Sequence, residues 1–82
     1  MEQFVQCVTL GLDYDEKKQL NSVREGREIC INTRYVVSVK TFEELFVDGD
    51  EKKDFKYYII TMDNGEHLYV KREPHLIAIF GV

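Results

Sequence analysis

The dipeptide Asn64-Gly65 stands between two alternating apolar runs, YYIITM (57–62) and HLYV (67–70), and it constrains this chain more than any other feature. Asn-Gly supplies two residues tolerant of positive φ, which a tight turn between right-twisted strands requires, so the stretch reads as a β-hairpin. A two-residue turn pairs Asp63 with Glu66, and hence Met62 with His67, Ile60 with Tyr69 and Ile59 with Val70. In that register Tyr57, Ile59, Leu68 and Val70 form a conventional core face. The opposite face carries Tyr58, Ile60, Met62, His67 and Tyr69, a set too apolar and aromatic for an ordinary wet face. Three covers compete for it: the chain's own curled sheet and helix, a second subunit or partner protein, or a stacked ligand or base.

The rest of the chain supplies further strands. Gln3 to Leu12 reads as a first strand, with Phe4, Val8 and Leu10 on one face and Val5 and Cys7 on the other. Asp13 to Glu25 is polar; Asp13 and Glu16 have capping-box spacing, so one or two helical turns or a loop are expected. A second strand runs from Arg27 to Asn32, and a third from Tyr35 to Phe42 after a bend at 32–34. The charged, glycine-containing VDGDEKK (47–53) reads as a hairpin loop leading to strands at Phe55–Met62 and Glu66–Lys71. Pro74 suits the first position of a helix, Leu76, Ile77 and Phe80 recur at helical spacing, and Gly81 ends it. With 82 residues there is room for one domain, 1–82. The expected class is β-rich α+β: about five antiparallel strands in a meander or small SH3-like barrel, with a short C-terminal helix.

Composition narrows the function. A net charge of −4 opposes general binding of phosphate backbones, where affinity comes from Lys and Arg displacing counterions. Lys71-Arg72 is the basic pair beside the aromatic face and the first place to look for an anion contact. His67 and His75 are too far apart in the pattern, with no cysteine pair nearby, to suggest a metal centre, and the 48–54 carboxylates lack calcium-loop order. No phosphate-binding glycine loop appears, and Ser22 and Ser38 have no neighbouring histidine, so neither catalysis nor a cofactor is expected. Cys7 and Cys30 lie in apolar runs and read as buried, reduced thiols. The start MEQFVQCVTLGLD resembles no secretory signal and no run is long enough to span a membrane, so a cytoplasmic location is expected.

The stretches GREICINTRYVVSVK (26–40) and YYIITMDNGEHLYVKREPHLIAIF (57–80) resemble a family of very small bacterial and phage proteins that includes the flagellar-operon FlbD-like proteins. The shared pattern is a strand ending in I-x-I-N, a valine-rich strand, an apolar strand, an N-G turn, a Y-x-V-K strand and a short helix. It covers about two thirds of the chain and departs from it at the charged 43–54 segment and the polar insert after the first strand. A looser likeness is to the LytTR DNA-binding domain, against which the acidic balance and the lack of a basic reading loop count. The FlbD-like resemblance implies a small non-enzymatic accessory protein, of the kind phages or mobile elements encode, and supplies no catalytic residues. The expected activity is binding of a protein partner, or self-association as a homo-oligomer, through Tyr58, Ile60, Met62, His67 and Tyr69. The alternative is a nucleic-acid or nucleotide module using Tyr58, Tyr69, Lys71 and Arg72.

Overall fold

A computed structural model describes residues 3–17, 19–48 and 50–82. Among these, strands β1 (Phe4–Asp15), β2 (Leu20–Asn32), β3 (Val36–Asp48), β4 (Glu51–Met62) and β5 (His67–Lys71) precede one helix, α1 (Pro74–Phe80). A 3-10 turn at Thr33–Tyr35 joins β2 to β3. The strands follow one another around a closed barrel, the β-rich architecture with a C-terminal helix that the sequence implies. Closure is thin. Thr9↔Val70 joins β1 to β5, and the parallel pairs Asn21↔Phe46 and Ser22↔Val47 join β2 to β3 among the described residues. The β1–β2 and β3–β4 hairpins outrun the five-residue β5, which leaves the molecule elongated, 47 × 24 × 20 Å.

Among its described residues, the polar segment 13–25 forms no helical turn. It continues the first hairpin, with Asp13↔Ser22 and Tyr14↔Asn21 in register. Two isolated helical turns carry the full cost of nucleation, whereas the ladder gives the polar side chains partners. Arg24 reaches Asp13 at 3.1 Å, and the Ser22 hydroxyl donates to the Asp13 carbonyl. A bulge opposite Thr9 adds a residue to β2, where Gly26 and Arg27 together face Thr9, and Thr9 Oγ1 accepts from the Arg27 N–H at 3.1 Å. Gly26 lies against it so closely that a Cβ there would sit 2.5 Å from Thr9 Oγ1. Ordinary alternation sends Val5 and Cys7 into one core and Leu10 into another, and the bulge in β2 lets Ile31 join the first core and Val23 the second, while Phe4 points to solvent. β3 likewise runs past the predicted end at Phe42 to Asp48, and a second bulge at Val36/Ser38 turns Val37 outward. Gly49 of the predicted connector lies outside the described residues, and β4 already begins at Glu51.

The β4–β5 turn corrects the expected register. Gly65 adopts φ +86°, its N–H donates to the Met62 carbonyl, and the Met62 N–H donates to the Glu66 carbonyl at 2.8 Å. The loop is therefore three residues, Asp63-Asn64-Gly65, in which a turn is completed by a left-handed glycine. Asn64 Oδ1 accepts the Glu66 N–H at 2.9 Å. One extra loop residue slips every pair: Tyr58 faces Val70, Ile59 faces Tyr69, Ile60 faces Leu68 and Thr61 faces His67. Tyr58, Ile60 and Met62 thus share a face with Leu68 and Val70, not with His67 and Tyr69.

Two cores result. The body core contains Val5, Cys7, Ile31, Tyr58, Ile60, Val70 and Leu76, with Ile77 and Phe80 packed against it. Helix α1 forms as the sequence implies: Pro74 opens it, and Gly81 at φ +74° donates to the Ile77 carbonyl. Phe80 meets Tyr58 edge-on at 5.8 Å, and the Tyr58 hydroxyl donates to the Val82 carbonyl at 2.5 Å. The distal core is Leu10, Phe46 and Tyr57, with Leu12, Val23, Phe55 and Ile59 around it. β4 is therefore covered on both faces by its own chain. Cys7 is buried, but Cys30 is exposed, because its place opposite Gln6 puts it on the outer side of β2. No helix among the described residues is long and apolar enough to cross a membrane.

Candidate functional site

The five residues of the expected interaction face do not come together at the surface. Tyr58 and Ile60 are fully buried under α1, and Met62 packs against the same core. His67 and Tyr69 lie on the other side of the sheet and remain exposed; His67 Nδ1 is 3.0 Å from its cross-strand partner, the Thr61 hydroxyl. The one-residue slip at Gly65 accounts for this division.

What the structure assembles instead is an aromatic row on the Tyr57 side of β5, β4 and β3 (the outer face), whose middle lies in the distal core and whose two ends are open. Tyr69 lies 6.1 Å from Tyr57, and Tyr57 stacks on Phe42 at 6.0 Å and 23°. Tyr57 is the buried middle of the row, held from below by Phe46 at 5.9 Å and flanked by Phe55 at 6.5 Å. Its two ends stay open: Tyr69 is 41% exposed and Phe42 38%. The pairs Lys40↔Ile59, Phe42↔Tyr57 and Glu44↔Phe55 put Lys40 and Glu44 on this same face, on either side of Phe42. Burial first, and then the neighbouring Glu44 carboxylate, push the Tyr57 phenol above its ordinary pKa, so it stays neutral and a hydrogen-bond donor. Lys40 has no ion-pair partner among the described residues.

Glu44 escapes the sequence reading because that reading ends the third strand at Phe42. Lys40 and Phe42, inside that strand, are given no place on the β4–β5 face because the pairing of β3 with β4 is not read. The signal was the alternation Phe42-x-Glu44-x-Phe46, which carries the strand through an acidic stretch.

Lys71 shares the outer face through its pairing with Tyr57, but its ammonium is bonded to Glu25 of β2. That hydrogen bond, and the charge behind it, raise the Lys71 pKa. Arg72 keeps a buried Nε with no partner among the described residues. Lys71 is drawn toward Glu25 of β2.

A small niche of about 70 Å³ gathers Gln6, Cys7, Val8, Glu28, Glu73 and His75. His75 donates from Nε2 to the Gln6 carbonyl at 2.7 Å, and its Nδ1 lies 3.6 Å from Glu73. These are the residue types of a thiol site without its electrostatics. Burial, then the Glu73 charge and Cys30, push the Cys7 thiol up to about 11, which keeps it protonated and poorly nucleophilic at neutral pH. A groove of about 220 Å³ near the hairpin tips is lined by Val23, Phe46, Val47, Lys53, Asp54 and Phe55. No group of three or more metal-ligating side chains is found among the described residues.

No protein-family model matches the chain, and no curated protein or solved structure is significantly similar to it.

Proposed function

We propose that this chain is a small, non-enzymatic accessory protein of the cytoplasm that acts by binding protein through the outer face of β3, β4 and β5. The observation that carries the reading is the row Tyr69–Tyr57–Phe42: a buried central ring with an open ring at each end. Aromatic side chains on a rigid sheet offer large contact area at little entropic cost, which is why they concentrate in protein interfaces. Rim charges of both signs, Lys40 and Glu44, suit a protein surface better than a phosphate backbone. The high pKa of Cys7 leaves the His75 niche without an activated nucleophile, which weighs against a thiol-based reaction.

Tyr69→Glu tests this reading. Tyr69 is on the short, exposed side of β5, so the variant is expected to keep its fold, while crosslinking in the native host loses the contacts that the wild type makes. Recovery of the same contacts by both proteins, or of none by the wild type, overturns the proposal.

A further inference from the structure

The barrel closes so sparsely that two strands keep long free edges. β2 and β3 pair at Asn21↔Phe46 and Ser22↔Val47 among the described residues, which leaves the β2-facing side of residues 36–45 without a described ladder. An open edge is a template for another strand unless charge, proline or a bulge blunts it. The β2 edge is blunted. It carries Arg24, Glu25, Gly26, Arg27 and Glu28 beside the β2 bulge, and two of its charges are engaged within the chain, Arg24 with Asp13 and Glu25 with Lys71. The β3 edge is not. Over Val39–Leu45 it carries Lys40, Glu43 and Glu44, of which Glu43 pairs with Lys56, but these are interleaved with Phe42 and Leu45, both part-exposed, and Lys40 has no ion-pair partner among the described residues.

We infer that the β3 edge pairs antiparallel with the β3 edge of a second copy of this chain, centred on Phe42, to make one continuous sheet through two molecules. This rests on the reading that the outer face works by protein contact, and it names the partner. Symmetry and charge select the register. A two-fold axis that pairs identical antiparallel edges stands perpendicular to the sheet, so residues opposite each other lie on the same face and differ by an even number. The axis must then lie between one residue and its own copy. Centring on Lys40, Glu43 or Glu44 opposes like charges across the axis, and centring on Thr41 sets Lys40 against Phe42. Centring on Phe42 sets Lys40 against Glu44 of the other copy, twice, and Val39 against Leu45.

Two further features agree. The ladder 39–45 stops one residue short of Phe46, where β2 takes up the edge. The row Tyr69–Tyr57–Phe42 ends at the sheet margin on a half-open ring, and the second copy continues it, Phe42 on Phe42.

Charge reversal tests this in sedimentation equilibrium. The wild type is expected to dimerise. Lys40→Glu and Glu44→Lys each oppose like charges at both pairs and should each weaken the dimer roughly tenfold or more. In an equimolar mixture of the two variants, the introduced glutamate of one chain faces the introduced lysine of the other, and the native Glu44 of the first faces the native Lys40 of the second. Both pairs are then opposite in charge, and a heterodimer about as tight as the wild type should form. The double variant should likewise dimerise again. Far-UV circular dichroism confirms that each variant is folded. The inference is overturned if the wild type stays monomeric up to roughly 500 μM, if either single variant dimerises like the wild type, or if mixing restores nothing. Tyr69 lies two strands from this seam, roughly 10 Å away at ordinary strand spacing. Loss of Tyr69-dependent contacts with an intact dimer, or the reverse, therefore tells the failure of one reading from the failure of the other.

Discussion

The two cores of this protein share one strand and differ in how they end. β4 sends Tyr58 and Ile60 into the body, where both are fully buried and the helix forms a lid. The same strand sends Tyr57 and Ile59 the other way, into a distal cluster with three buried members and no helix above it. The body core holds seven buried side chains among the described residues, with helix α1 contributing Leu76. The distal core thins into half-open rings, Phe42 and Tyr69, at the sheet surface. The difference teaches where stability and recognition reside. Tyr58 and Ile60 hold the fold together, and the row above Tyr57 has surface left over for another molecule.

Truncation on the two sides of β4 is the strongest way to break this contrast. Ile60→Ala removes buried methylenes from a site that cannot collapse readily and should cost about 3–4 kcal/mol, a large share of the stability of a domain this small. Ile59→Ala, half-buried one residue away, should cost about 1 kcal/mol, because part of its surface already meets water. Urea unfolding of the two variants measures the gap. Equal losses would mean that the distal cluster is as dry as the body, and the contrast would fail.

Much of this arrangement is written locally and some of it is not. Pro74 and Gly81 bracket the helix by backbone chemistry alone, and the apolar runs at 57–62 and 67–70 announce their strands. Strand length at the hairpin tips is hidden, because their composition matches that of a loop: Asp13–Glu25 and Glu43–Asp54 both read as irregular, although the second buries Phe46 and Val47 among its charges. The faces of the aromatic hairpin turn on a single residue. Asn64-Gly65 is compatible with loops of two or three residues, and the choice depends on whether Asn64 also takes a positive φ; here the left-handed non-glycine position among the described residues is Gln19. Which face was covered depended on that count, so the interaction set Tyr58, Ile60, Met62, His67 and Tyr69 divides between the two sides of the sheet.

The body core's dryness can be sharpened through Cys7. Its thiol titrates at about 11 in the folded protein against 9.0 for an unperturbed thiol, with burial the first cause. A folded pKa raised above the unfolded one means that the native state holds the proton longer. The associated stability is complete below pH 9 and is lost as pH rises toward 11. Cys7→Val keeps the packing and removes the titration. Between about pH 8 and about pH 10.5 its stability should therefore fall by roughly 1–2 kcal/mol less than that of the wild type. Parallel loss in both proteins would place Cys7 in a wetter setting than its burial indicates.

The smallest effect bears on what holds the two faces of β4 apart. Gly65 sits at φ +86° with open space where a Cβ would be, so Gly65→Ala meets no neighbour and suffers only the left-handed backbone penalty. That penalty is about 1 kcal/mol, a fall in Tm of roughly 4–8 °C for a domain of this length. The turn is not what enforces the register. Slipping to a two-residue loop would bring His67 opposite Met62 and Tyr69 opposite Ile60, turning β5 over and taking Val70 out of the core, a loss several times larger than the strain it relieved. The variant should therefore keep cross-strand amide contacts between Ile60 and Leu68 in its NMR spectrum while melting earlier. If those contacts move to Ile60 and Tyr69, the turn rather than the core sets the register, and the assignment of one face to the fold and the other to recognition rests on a single glycine.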